Sequence, residues 1–287
     1  DIKDDLLKYK KNLFYINVRS RGFLRKVDNG INLMNKYNVN YFHFVTETVP
    51  KIILINEKFR DKKIPFIFEN DLHKNIREII TNLNIYNRPI IYLERHELYF
   101  FKKLIVCSDL ALIVDNYFGG NSKNKTYINK LFLKKFVMLF KTKYSYSNES
   151  KHKYFVSRMG SYRNILNIKQ VNNLLQQNRF EIINPLDLNI SQQISVFSKA
   201  SLIITSSGAH ITNIIWMNKG ANVIILISNH PAHQQKMWMQ LADVSGVNIH
   251  FIIGKTRKIT DFFNKYGVHA DYEVDPKLIL AKLKEIS

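Results

Sequence analysis

Three short segments carry the residue types from which a site for an anionic ligand could be built. The first is the run at 202–213, Leu-Ile-Ile-Thr-Ser-Ser-Gly-Ala-His-Ile-Thr-Asn. An apolar strand there feeds through Ser206, Ser207, Gly208 and Ala209 straight into a helix beginning near His210. Small side chains let a ligand approach the backbone, and the N–H groups opening a helix can hold an anion. Ser206, Ser207 and Thr212 add hydroxyl donors, with Asn213 closing the run. A nucleotide phosphate suits this turn, although an ordinary capped strand-to-helix turn reads the same way. The segment lacks both the Gly-Lys-Ser/Thr ending of a P-loop and the GxGxxG dinucleotide signature.

The second segment is Tyr-Phe-Val-Ser-Arg-Met-Gly-Ser-Tyr-Arg at 154–163. Arg158 and Arg163 follow a strand and lie five residues apart. Guanidinium forks match phosphate geometry. Placed at the same sheet edge as Gly208, the two could clamp a diphosphate and stabilise charge on a leaving group; pairing with structural carboxylates is the plainer alternative. The third is Asn-Tyr-Phe-His-Phe-Val-Thr-Glu at 40–47. His43 and Glu47 share a face if one helix holds both, and either could take a proton from a hydroxyl. A buried His–Glu packing pair is the alternative. His230, His233 and Asp243 form no compact metal-ligand motif, so no metal residues are assigned, with a divalent-ion site built from scattered acids left open. No Gly-x-Ser-x-Gly elbow is present for serine hydrolase chemistry.

The elements that must position these segments follow an α/β pattern. In the first half, strands are expected over 12–18, 64–68, 89–93, 103–107 and 110–114, with a turn at Gly119–Ser122. Helices are expected after Thr46 or Thr48 as cap, over 73–83 and over 129–140. In the second half, strands are expected over 153–157, 180–183, 202–205, 222–227 and 248–252. Helices are expected over 168–177, 191–200, 210–217 and 232–242, with one more opening at Pro276. Apolar strands alternating with three-turn helices indicate a parallel sheet covered on both faces, with ligands beyond the carboxyl ends of its strands. The almost wholly polar stretch 141–153 sets the expected boundary between an acceptor-side lobe at 1–147 and a nucleotide-binding lobe at 148–287.

Composition limits the partners. The 287 residues are 46% hydrophobic, with 19 Phe and 15 Tyr, enough to bury a large core. The net charge of +20 points to nucleic acid, an anionic membrane surface or a phosphorylated small molecule, and a Lys-Asn-Ile-rich composition spreads lysines with no function attached. The basic residues form no recognised nucleic-acid reader, so no specific nucleic-acid partner is expected. Cys107 is the single cysteine and excludes an intrachain disulfide; its apolar setting reads as a buried thiol. No run approaches the ~20 apolar residues that span a bilayer and no signal-peptide pattern opens the sequence. The expected setting is cytoplasmic, with peripheral contact at the inner face of an anionic membrane an option left open by the charge.

Taken together, these segments resemble the family 61 glycosyltransferases. The resemblance runs over roughly 40–241 and is strongest from Tyr154 to Gly220. Asn40, Tyr41, Phe42, His43 and Glu47 stand in the family's Asn-aromatic-aromatic-His-acid pattern. Phe155, Ser157, Arg158, Arg163 and Asn167 fit its strand end and following basic segment. Pro185, Leu188, Gln193, Phe197 and Ala200 fit the next segment, and Ser207 to Asn213 the last. Ser207 takes the place of the family's usual His, His210 a small-residue place, Ile168 the place of a Glu, and Glu47 that of the commoner Asp. The resemblance implies two Rossmann-like lobes with a cleft between them (GT-B type). It implies inverting transfer of a sugar from a nucleotide-sugar donor to a glycan, lipid-linked or other hydroxyl acceptor, without a cofactor or catalytic metal. It further implies donor contacts from Arg158, Arg163 and the turn of Ser206, Ser207, Gly208, Ala209, His210, Thr212 and Asn213, with Glu47, backed by His43, as base. Capsule or other polysaccharide biosynthesis is the expected setting. Rival readings are a non-catalytic binder of nucleotide sugars or polyanionic glycans, a nucleic-acid-binding protein, and a hydrolase of phosphorylated sugars.

Overall fold

The computed structural model describes residues 6–10, 13–16, 24–59, 63–94, 97–113, 126–158, 162–230, 233, 235–256 and 267–286. Among them the chain forms an α/β fold with two largely parallel sheets. A short antiparallel pair, β1 (Leu6–Lys10) and β2 (Leu13–Ile16), comes first. The first larger sheet contains β3 (Leu24–Asn32), β4 (Phe66–Glu69), β5 (Ile90–Leu93) and β6 (Leu98–Val106), in the order β5-β4-β3-β6, all parallel. The second contains β7 (His152–Val156), β8 (Glu181–Ile183), β9 (Ala200–Ser206), β10 (Asn222–Ser228), β11 (Asn248–Thr256) and β12 (Tyr272–Glu273). Its order is β12-β11-β10-β9-β7-β8, parallel except for the antiparallel β12.

The helices are α1 (Tyr41–His43), α2 (Val49–Lys58), α3 (Lys74–Leu83), α4 (Lys130–Lys143), α5 (Ile168–Gln177), α6 (Ile190–Lys199), α7 (Lys236–Ser245) and α8 (Pro276–Ile286). Short 3₁₀ turns occupy Pro185–Asp187, Ala209–Trp216 and Gly267–His269. A π turn, Phe44–Thr48, joins α1 to α2. Pro50 supplies its cause. Proline has no N–H, and its ring crowds the carbonyl four residues earlier, so the ladder widens by one residue just ahead of it.

Alternation along the strands explains the apolar runs of the second sheet. Ile203, Val223 and Ile225 point into one core, which continues through α6 and α4 to Ile31 and Phe66 of the first sheet. Ile204, Ile224 and Leu226 point into a second core with α5, α8 and Tyr272. Both faces are therefore buried, as a parallel sheet requires. Helix α4 sits where the halves meet. Its Phe136 and Phe140 rings are 4.5 Å apart and lie 5.1 and 5.8 Å from Trp216, which is fully buried.

Several local expectations are corrected. Strand β3, the hub of the first sheet, runs through Arg25, Lys26, Asp28 and Asn29, a polar segment for which no element is expected from the sequence. It pairs with β6 from Leu24↔Leu98 to Asn32↔Val106, and only its C-terminal end is buried. Neither Thr46 nor Thr48 caps the helix. Asn40 does, accepting from the Phe42 N–H, while Thr46 donates to the Phe42 carbonyl and Thr48 to Asn38. The strand expected at 110–114 is reduced to a bridge, Leu112↔Tyr127. The helix expected at 210–217 is 3₁₀. The turn at Gly119–Ser122 and the start of the helix expected at 232 lie outside the described residues.

Phe136→Ala removes one of the two rings that join α4 to Trp216. It should lower unfolding free energy by about 3–5 kcal/mol, read as a shifted denaturant midpoint. An unmoved midpoint would show that the aromatic cluster contributes nothing.

Candidate active site

The strand order of the second sheet creates the crevice. From β7 the chain crosses through α5 to β8 on one side, then returns through α6 to β9 on the other. Helices α5 and α6 cover opposite faces, since Val171 and Leu175 join one core while Ile190, Ile194 and Phe197 join the other. The loops after β7 and β9 consequently diverge, leaving an opening at the carboxyl edge.

Arg158 and Gly208 stand at that opening. Arg158 Nη1 donates to the Ser207 carbonyl at 2.7 Å. Gly208 has an extended backbone (φ 176°), which any residue can adopt, so the need for glycine is one of space. A Cβ there would lie 2.8 Å from His210 Cε1, 2.9 Å from His210 Nδ1 and 3.3 Å from Arg158 Nη1. The His210 ring folds back so that Nε2 meets Thr205 Oγ1 at 2.6 Å. Thr205 Oγ1 donates to the Val156 carbonyl at 3.0 Å. With that proton committed, the network assigns the ring proton to Nε2 and leaves Nδ1 an acceptor. Burial, then the Arg158 charge, pushes the His210 pKa down to about 3. The imidazole is therefore neutral at pH 7, and the positive charge at this turn comes from Arg158.

Arg163 lies nearby but is differently engaged. Both guanidinium groups flank the Tyr162 ring, with Arg158 Cζ 4.8 Å and Arg163 Cζ 5.6 Å from its centroid. Arg163 directs Nε and Nη2 at His269 Nδ1, at 3.1 and 2.8 Å, and its backbone N–H donates to the His269 carbonyl. It takes a left-handed backbone (φ 59°) to do so. The two arginines and the glycine turn thus gather at one strand edge, with Arg158 on the cavity wall and Arg163 turned to His269.

A cavity of about 410 Å³ opens there. The second half supplies its wall from the loops after β7 (Ser157, Arg158), β8 (Asn184, Pro185, Leu186) and β9 (Ala209, His210, Asn213). The first half supplies Val39, Asn40 and Tyr41 ahead of the π turn, and His73, Asn75 and Ile76 at the start of α3. Asn213, on this wall, has both polar atoms committed within the fold. Its Oδ1 accepts from Tyr41 OH (2.9 Å) and Trp216 Nε1 (3.2 Å), and its Nδ2 donates to Gln193 Oε1 (2.8 Å). Gln193 in turn donates to the Pro185 carbonyl at 2.9 Å. One chain of hydrogen bonds therefore runs from the catalytic-candidate helix of the first half, across the cleft, to the loop after β8. Thr212 donates to the Ala209 carbonyl at 2.7 Å, and Ser206 and Ser207 are buried beneath the turn.

His43 and Glu47 meet within the π turn, His43 Nδ1 lying 3.1 Å from Glu47 Oε2. Asn35 Nδ2 donates to the same carboxylate oxygen at 2.9 Å, and the Tyr37 ring lies 4.8 Å from the imidazole. The pair is nearly buried and sits off the wall of the 410 Å³ cavity. A second cavity, about 360 Å³, is lined by Asn35, the residue that holds Glu47, and shares Val39 with the first. Tyr162, His73, Asn75 and His269 were not singled out by the sequence. Nothing in the spacing around His269 or Asn75 marks them, and His73, expected as the first residue of the helix over 73–83, instead caps it by accepting from the Asn75 N–H. Among the described residues no group of three or more His, Cys, Asp or Glu could hold a metal ion, and no helix is long and apolar enough to cross a membrane.

Two outcomes follow. Gly208→Ala should drive the His210 ring and Arg158 apart and weaken binding of nucleoside diphosphates about tenfold or more while the protein stays folded; unchanged affinity in calorimetry would remove the close-approach argument. Burial lowers the folded pKa of His210, and of His233 likewise, to about 3. The unfolded chain takes up these protons near pH 6.5 and the folded chain does not, so their stabilising contribution is complete above that pH and is lost as pH falls toward 3. His210→Gln should flatten the acid side of the stability–pH curve by up to one proton's slope, and an unaltered slope would contradict the assignment.

Comparison with known proteins identifies a family. The model of the family described as Glycosyltransferase 61 matches residues 41–224, from Tyr41 at the cleft through the Gly208 turn to β10. Among solved structures, E. coli heptosyltransferase WaaC with ADP is similar at 7% identity, with 91% of this chain and 100% of that chain covered and a TM-score of 0.41. No curated protein matches. A match over residues 41–224, well more than half the chain, places the protein in the glycosyltransferase 61 family.

Proposed function

We propose that the protein transfers a sugar from a nucleotide-sugar donor to a glycan, lipid-linked or other hydroxyl acceptor, by single displacement with inversion. The observation that carries this is the convergence of Arg158, Gly208 and neutral His210 on one cavity at the β7/β9 crevice. A diphosphate placed there meets a guanidinium fork beside a turn too tight for a side chain. The cation neutralises charge as the bond from the anomeric carbon to the phosphate oxygen breaks, and the nucleoside diphosphate leaves with the electron pair. Arg163 supports this end through Tyr162. Glu47, held by His43 and Asn35, takes the proton of the acceptor hydroxyl as that oxygen bonds to the anomeric carbon. In this reading the acceptor enters from the second cavity beside Asn35 and meets the donor near Val39.

The same reading assigns a GT-B arrangement of two Rossmann-like lobes, divided near residue 147. It is supported by strand orders that place the opening strand of each sheet internally, with crossovers to both sides. Leaving-group charge falls to Arg158 in this scheme, so chelation with EDTA should not change turnover.

Arg158→Ala should cut transfer by about 10²-fold or more, with parallel loss of donor binding in a screen across nucleotide sugars. Undiminished turnover in the folded variant would overturn its role. Glu47→Gln should suppress transfer by about 10²–10⁴-fold while leaving donor affinity in place; equal loss of both would make Glu47 a structural residue. Donor consumed without product on any acceptor would instead indicate a binding protein or a hydrolase.

A further inference from the structure

Helix α4 carries large apolar side chains on two sides, and only one side is accounted for by the fold. Leu133, Phe136, Val137 and Phe140 face the core. The opposite face is formed by residues 131, 134, 135, 138 and 142, which helical spacing aligns in one stripe. Soluble helices place polar residues there. Here Leu131 is 62% exposed and Met138 67%, with Leu139 at their margin 47% exposed. The patch continues past the helix start. Tyr127, Leu131 and Met239 line one groove, and Tyr127 pairs with the exposed Leu112. Lysines accompany it: Lys134 and Lys135 lie within the stripe, Lys130 and Lys236 along the groove and Lys143 at the far end, while Lys141 turns to the Tyr146 ring. Lys130 and Lys135 also reach Asp243 and Glu57, which leaves the lysines in excess.

Exposed apolar side chains on a helix accompanied by lysines fit the boundary between acyl chains and anionic headgroups, where the apolar stripe enters and the ammonium groups stay at headgroup level. We infer that the outer face of α4, with Tyr127 and Met239, docks the protein on an anionic lipid bilayer. Charge complementarity selects this occupant. A chain of net charge +20 is drawn to an anionic leaflet, and the patch supplies short-range apolar contact that charge alone lacks. The patch lies apart from the cleft residues, so the inference does not depend on the proposed reaction.

The test is co-sedimentation of the full chain with phosphatidylcholine vesicles and with vesicles of about one-third phosphatidylserine. The wild type should pellet with the anionic vesicles, about tenfold more tightly than with neutral ones, and be released by salt. The double variant Leu131→Gln, Met138→Gln should bind anionic vesicles about tenfold more weakly, with an unchanged thermal midpoint and unchanged nucleoside diphosphate binding. Lys134→Glu should weaken only the anionic arm. Wild type left in solution with both vesicle types would overturn the inference, as would a double variant that pellets like wild type. So would a wild-type dimer in gel filtration that the double variant abolishes, since the face would then belong to a second copy.

Discussion

The Arg158 guanidinium rests on the Ser207 carbonyl, and the geometry of the cleft depends on that hydrogen bond. It spans two loops that leave neighbouring parallel strands in different directions. A charged donor on a backbone acceptor is among the stronger protein hydrogen bonds. It fixes the carbonyl just before Gly208 and holds the guanidinium at the mouth of the crevice. A neutral His210 fills the remaining space. Were that ring cationic, it would face Arg158 at close range; burial and that neighbouring charge together hold it neutral.

A second constraint ties this turn to the rest of the molecule. Asn213 collects hydrogen bonds from Tyr41 and Trp216 and passes one to Gln193. Each partner is buried or nearly so, where an amide left unpaired costs more than a made bond returns. Tyr41 belongs to the helix that carries His43 and Glu47. The Gly208 turn and the acid–histidine pair are therefore set relative to each other through one side chain amide. The aromatic contacts of Phe136 and Phe140 with Trp216 clamp the same region from the core side.

How much of this could be read beforehand depended on whether the signal was local. Strands β9 and β10 declare themselves because both of their faces are covered, so their sequences are nearly continuous apolar runs. Strand β3 does not, because Arg25, Lys26, Asp28 and Asn29 sit on the uncovered part of its length and only Gly30 to Asn32 reach the core. Gly30 stands in this strand because Ile67 packs over it, 2.7 Å from where a Cβ would stand. At the site, Arg158 and Gly208 were legible from type and position at strand ends. The Tyr41–Asn213 bond, across 172 residues, and the engagement of Arg163 by His269, across 106, have no local signature. The cap was misread because a serine-like side chain before Pro50 looks like a helix start when the real start lies a π turn earlier.

That π turn has a structural corollary. One additional residue within a helical turn rotates everything on its N-terminal side by about a hundred degrees relative to a regular helix. Asn40 and Tyr41 owe their aim into the cleft to this offset, while α2 beyond Pro50 keeps the register its packing demands. Excising a single residue between Phe44 and Thr48 would restore an ordinary helix and swing Tyr41 away from Asn213. The proline thus sets the orientation of a cleft wall to which it does not itself belong.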